Sequence, residues 1–102
     1  MARLKYLDAA KHDLGEIALY IARESGNRSI AIKYVNRVRA HCRKLAAAET
    51  SQRGTDRSEL IEGLRSEPFG NYVIFFRYLG RSLEVVNILE AHRDIASYYS
   101  EQ

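Results

Sequence analysis

Read as a strand, Asn71–Tyr78 puts Tyr72, Ile74, Phe76 and Tyr78 on one face and Val73, Phe75 and Arg77 on the other, because successive side chains point to opposite sides of a sheet. Both faces are largely apolar, so this strand belongs in the middle of a sheet. Pro68-Phe69-Gly70 before it and Gly80-Arg81-Ser82 after it are turn chemistry, which makes Leu60–Ser66 and Leu83–Leu89 its neighbouring strand candidates. Links this short predict an antiparallel meander.

The first half of the chain has a different period. Arg3 to Leu7 reads as a short strand ending at Asp8, whose carboxylate is placed to cap a following helix. Ala10, Leu14, Ile17, Ala18 and Ile21 then recur with the spacing of one buried helical face, and Ser25-Gly26 ends the run. A second helix is expected from Asn27 or Ser29, with Ala31, Tyr34, Val35, Val38, Cys42 and Leu45 inward and Ala46–Ala48 near its end. Two amphipathic helices on so short a link form an antiparallel hairpin, and the sheet is what covers their joint apolar face. Glu49 to Glu59 is polar and reads as a loop, and His92 to Ser100 as a short helical tail carrying Ile95, Tyr98 and Tyr99. The expected fold is α+β, in the order β-α-α-β-β-β with a C-terminal helical tail, as one domain over residues 1–102.

At 102 residues, with 46% hydrophobic and 28% charged residues, the chain has the size and composition of one globular core. Cys42 is the only cysteine, so no intrachain disulfide forms and a reducing cytoplasm is the expected setting. No stretch approaches a membrane span and the N-terminus lacks the apolar core of a signal peptide. Residues 1–50 hold ten Lys/Arg against five Asp/Glu, and residues 51–102 hold six against eight. Lys33, Arg37 and Lys44 fall within about 40° on the second helix, flanked by Arg28, Arg39 and Arg43. A basic surface of this kind is ordinarily solvated, and it also suits acidic peptide residues or a phosphate backbone. His12, His41 and His92 lie on separate elements with no metal-ligand spacing, and no Gly-rich phosphate loop or nucleophile elbow occurs, so neither metal nor cofactor is expected.

Three segments carry a resemblance to a known family: Asp8–Leu14, the run Gly63-Leu64-Arg65-Ser66-Glu67-Pro68-Phe69-Gly70-Asn71-Tyr72-Val73-Ile74-Phe75-Phe76-Arg77, and Ile88–Ile95. Together they resemble the ParE branch of the RelE/ParE toxin superfamily, the middle run being the specific one. Chains of that branch commonly carry His-Gly where Glu90 and Ala91 stand here.

The resemblance implies a cytoplasmic toxin that is not an enzyme, inhibits DNA gyrase, and is neutralised by the flexible, acidic C-terminal segment of a ParD-like antitoxin. Lys33, Arg37, Lys44, Arg65, Tyr72, Arg77 and Arg93 are the expected antitoxin or target contacts. The alternative is a RelE-like endoribonuclease acting on messenger RNA at the ribosome, with Arg65, Arg93 and Tyr99 as the catalytic set. Metal-free RNA cleavage needs a group to activate the 2′-hydroxyl, cations for the phosphorane and an acid for the leaving oxygen. Against it, the lysines that RelE-like nucleases present between second helix and sheet have no counterpart after Lys44. Arg65 and Arg93 have a plainer reading as ion-pair partners of Glu62, Glu90 or Asp94. Tyr98 and Tyr99 have one as tail-packing groups, although adjacent residues of a regular helix do not both face inward. An inert module that only binds an antitoxin is the third possibility.

Overall fold

The computed structural model of the chain describes residues 2–48 and 53–101. Its order is β1 (Arg3–Tyr6), α1 (Asp8–Ser25), α2 (Arg28–Ala47), β2 (Thr55–Asp56), β3 (Arg65–Phe69), β4 (Tyr72–Leu79), β5 (Ser82–Glu90) and α3 (Ile95–Ser100). The five strands make one sheet in the order β1-β5-β4-β3-β2, so the doubly apolar β4 is central. As the turn chemistry predicts, β3, β4 and β5 form an antiparallel meander. β1 adds to β5 in parallel, pairing Leu4 with Leu83 and Tyr6 with Val85, because the whole helical hairpin intervenes as the crossover that a parallel pair requires.

Both helix ends at the hairpin link follow from sequence. Gly26 takes the left-handed conformation (φ 66°) after α1, which costs glycine least. The Asn27 side chain accepts from Ser29 N at 2.9 Å and Ile30 N at 3.3 Å, capping α2. Asp8 behaves otherwise than expected. It is the first residue of α1, Leu7 occupies the cap position, and no side chain caps this end. The Asp8 carboxylate therefore acts only as a negative charge in the first turn.

The strand expected at Leu60–Ser66 lies further along. Arg57 to Leu64 is a turn-rich segment closed by Leu60 N–Arg57 O and Leu64 N–Ile61 O hydrogen bonds, and the strand runs Arg65–Phe69, with Gly70-Asn71 alone as the turn. Pro68 is tolerated in it because β2 covers β3 only at Arg65 and Ser66, which leaves the rest as sheet edge. Glu49–Gln52 of the expected loop lie outside the described residues, and Thr55-Asp56 within it form β2.

The sheet has a large face and a small one. Leu14, Ile17, Val38, Cys42 and Leu45 of the hairpin pack on Ile74, Phe76, Leu83, Val85 and Ile88. On the other side Leu64, Phe75, Leu89 and Tyr99 form a separate cluster, edged by Leu60, Ile61, Val73, Val86, Ile95 and Tyr98. A bulge in β5 serves both faces. Phe76 pairs with Val85 and Phe75 with Asn87, so Val86 is the extra residue. Val85 and Ile88, three apart, consequently face the same helices, which strict alternation forbids. No helix of the described residues is long and apolar enough to cross a membrane.

Candidate functional site

Where α1 crosses the end of the β4–β5 pair, the fold leaves a cleft of about 540 Å³ between Glu16, Tyr20 and Arg23 on one wall and Tyr72, Glu90 and Arg93 on the other. A second hollow continues it past Gly70, Asn71 and His92, sharing Tyr20, Tyr72 and Glu90 with the first. Tyr20 and the adjacent Leu19 are more than half and half exposed, a large apolar pair left at the rim of a groove. Charges of both signs line it. Glu90 pairs with His92 at 3.0 Å and Glu16 lies 3.8 Å from His12, while Arg23 and Arg93 make no salt bridge among the described residues.

Tyr72 joins the groove to an aromatic block beneath α2. Tyr34 of α2 meets Phe69 and Tyr72 edge-on at 5.9 and 6.0 Å, the geometry that ring quadrupoles favour. Arg37 lies 5.7 Å from the Tyr34 and Phe69 ring centres. Gly70 makes this possible, since its φ of 58° suits glycine and a Cβ there would come within 2.7 Å of the Tyr34 hydroxyl. Burial pushes the Tyr72 phenol above its ordinary value, with Tyr34, Glu90 and Tyr20 adding to the shift. Burial does the same at Tyr34 against the opposing charge of Arg37. Next to this block His41 bonds to Glu67, tying α2 to the open half of β3.

A polar knot ties the two walls together at their base. One Asp13 carboxylate oxygen accepts from Ile88 N and Asn87 Nδ2, both at 2.9 Å. Asn87 Nδ2 also donates to the Tyr98 hydroxyl at 3.1 Å, and Tyr99 donates to Asn87 Oδ1 at 3.0 Å. Asn87 is the bulge-side residue of β5, so one buried amide locks α1, the sheet and the tail together. Both tyrosines of the tail thus reach inward, contrary to the expectation for a regular helix. α3 is only six residues long, and Tyr98 approaches Asn87 from its edge, half-buried, while Tyr99 is buried on Phe75.

The expected site residues are scattered by the fold. Lys33 and Lys44 stand exposed on α2, with Arg37 exposed but leaning on the aromatic block. Tyr72 and Arg93 line the groove. Arg77 donates to Glu84 at 3.0 Å across the β4–β5 pair, a sheet contact away from the groove. Arg65 binds backbone, donating through Nη2 to Gly54 O at 3.0 Å and through Nε to Arg53 O. Arg93 stacks 4.7 Å from the Tyr98 ring centre. The carboxylates proposed as its partners are occupied elsewhere: Glu90 with His92, and Asp94 as the cap of α3 through Ser97 N at 3.1 Å.

Arg65, Arg93 and Tyr99 do not come together. Arg65 lies opposite Phe76 and so shares the helix-covered face, whereas Tyr99 is on the other face with Phe75. Arg93 follows Glu90, which pairs with Tyr72, four residues from Phe76 along β4. That is roughly 13 Å along the strand. The Tyr99 phenol is held well above its ordinary value, first by burial and then by Tyr98 and Asp13. Sequence reasoning missed Asp13, Tyr20, Asn87 and the His41–Glu67 pair. The one signal available was Leu19-Tyr20, large apolar residues off the inward period of α1.

The family model for the ParE toxin of the type II toxin-antitoxin system parDE matches residues 4–95. This chain belongs to the ParE toxin family. Among solved structures, a chain of a chromosomal ParDE toxin-antitoxin system from P. aeruginosa superposes with a TM-score of 0.73 at 22% identity, over 88% of this chain and 96% of that one. The likeness establishes a shared fold over nearly the full length of both chains. No curated protein sequence matches. The expected family and its α+β layout therefore hold for almost the whole chain.

Proposed function

We propose that this ParE-family chain is the toxin of a type II toxin-antitoxin pair, that it binds DNA gyrase and stalls it on cleaved DNA without itself making or breaking covalent bonds, and that a ParD-like antitoxin neutralises it. Gyrase as target means that it acts in the cytoplasm. The observation that carries the non-enzymatic reading is the division of Arg65 and Tyr99 between opposite faces of the sheet. Acid–base chemistry needs its groups within hydrogen-bond reach of one reacting centre, and the Tyr99 hydroxyl is already committed to Asn87.

The groove supports the antitoxin part of the reading. Exposed Leu19 and Tyr20 offer an apolar seat, and Arg23 and Arg93 at its edge make no salt bridge among the described residues while Glu16 and Glu90 face His12 and His92, which fits an amphipathic segment whose acidic residues meet the two arginines. In a supercoiling assay, the purified chain is expected to inhibit gyrase and accumulate cleaved DNA, with activity restored by the cognate antitoxin. Full supercoiling at a large molar excess of toxin, together with messenger RNA cleavage on ribosomes that Arg93→Ala abolishes, overturns it in favour of the ribonuclease.

A further inference from the structure

We propose that the outer face of α2 is a docking surface for duplex DNA, seated in the major groove with one row of cations against each phosphate wall. The proposal goes beyond the gyrase reading and does not require it.

α2 carries six Lys/Arg and no Asp or Glu in its 20 residues. The chain as a whole holds 16 Lys/Arg and 13 Asp/Glu, so the rest of the protein has ten cations against thirteen anions. The positive charge is therefore a property of one helix mounted on a mildly acidic body. None of the six forms a salt bridge among the described residues. Two of them lean on rings, Arg37 over Tyr34 and Phe69, and Arg39 at 5.1 Å over Tyr6. Those contacts lay the guanidinium heads against ring faces and leave their charge without a carboxylate partner among the described residues.

Their arrangement distinguishes among polyanions. At about 100° per residue, Arg28, Arg39 and Arg43 make one row and Lys33, Arg37 and Lys44 a second, their centres about 130° apart round the helix. The ridge between them carries Asn36, Ala40 and Ala47, all small. From Arg28 to Lys44 the rows extend roughly 24 Å. A helix with side chains is about 10–12 Å across and the B-form major groove is about 12 Å wide, so a small-residue ridge enters while the two rows meet the two backbones. The deep, narrow major groove of A-form RNA does not admit a helix. No aromatic side chain stands on the ridge to stack on splayed bases, which argues against single strands. An acidic peptide helix would present one charged stripe and leave the other row unmatched. Contacts of this kind read phosphates and carry no sequence preference.

The test is fluorescence anisotropy of a labelled 24-base-pair duplex of mixed sequence with the purified chain at 50 and 200 mM salt. Binding is expected at 50 mM, falling steeply with salt, since each phosphate contact contributes about 0.9 to the slope of log affinity against log salt. Lys33→Gln with Lys44→Gln, and separately Arg28→Gln with Arg43→Gln, are each expected to weaken binding roughly tenfold or more and to flatten the slope by nearly 2. Lys11→Gln with Arg81→Gln removes the same charge from exposed positions on other elements and is expected to leave binding within about twofold, which separates the α2 face from general basicity. Unchanged thermal unfolding of all three pairs confirms that folding is intact. Absence of duplex binding at 50 mM salt overturns the proposal, as does equal loss in the Lys11/Arg81 pair, equal affinity for an A-form RNA duplex, or binding of a polyglutamate peptide alone.

Discussion

Phe75 and Phe76 are chain neighbours, both fully buried, yet they hold up opposite faces built in different ways. Phe76 sits under helices of 18 and 20 residues, where many aliphatic side chains share the load. Phe75 sits under a six-residue helix and the turns before β3, where only three other buried residues, a half-buried rim and one buried amide share it. A broad helical cover is redundant and legible as periodicity. A small cover depends on individual contacts, with Tyr99 on Phe75 and Asn87 as its polar anchor.

The largest effect expected from this difference is Phe76→Ala. Long helices cannot collapse into the space left, so it is expected to cost about 4–5 kcal/mol, near the top of the range for such truncations. Phe75→Ala is expected nearer about 3 kcal/mol, because α3 can settle inward. Urea unfolding of both variants decides it, and an equal or larger loss for Phe75→Ala breaks the comparison. Gly54→Ala comes next, at about 1–3 kcal/mol. Gly54 has φ +77°, and a Cβ there would lie 2.7 Å from Ser66 O and 2.9 Å from the Phe76 ring. Its cost, read by thermal unfolding, tests whether the segment that Arg65 holds seals the open end of the large face. A neutral Gly54→Ala places that segment outside the cooperative fold.

The same contrast governs what the sequence reveals. The hairpin was legible because Ala10, Leu14 and Ile17, then Val38, Cys42 and Leu45, repeat one environment, and β4 because its two faces are each uniformly apolar. β3 was misplaced because a proline ordinarily marks a turn, and only the pairing of β2 to Arg65 and Ser66 alone reveals that Pro68 sits at an edge. The bulge was hidden by Val85-Val86, two residues that suit either face. The groove could not be read as a motif, since Tyr20, Tyr72 and Arg93 are brought together only by α1 crossing the sheet end. Arg65 and Tyr99 looked like partners in one dimension, and the pleat of the sheet separates them.

Tyr99→Phe probes the small face at a single atom. It removes the hydroxyl that Asn87 Oδ1 accepts in a buried site, an expected loss of about 1–2 kcal/mol. Because burial raises the Tyr99 phenol in the folded state, its contribution is complete below the unfolded value of about 10 and is lost as pH rises above that. Wild type should therefore lose stability in alkali more steeply than Tyr99→Phe, measured by unfolding at pH 9 and 11. Identical slopes assign the alkaline loss to other groups, Tyr6 on the large face being the first, since burial raises it too.

The smallest effect lies at the start of α3. Asp94 accepts from both the backbone N–H and the hydroxyl of Ser97, and these bonds hold its carboxyl below the usual range. A depressed folded value means the cap is fully stabilising above the unfolded Asp value of about 3.9 and weakens as pH falls from there through the folded one. The Ser97 amide resonance is expected to stay fixed from neutral pH to about 4 and to move only below it. Asp94→Ala is expected to change global unfolding little while raising hydrogen exchange in α3, because Tyr99 and Asn87 still hold the tail. Should Asp94→Ala release the tail altogether, the anchor of the small face is the cap and not the buried amide.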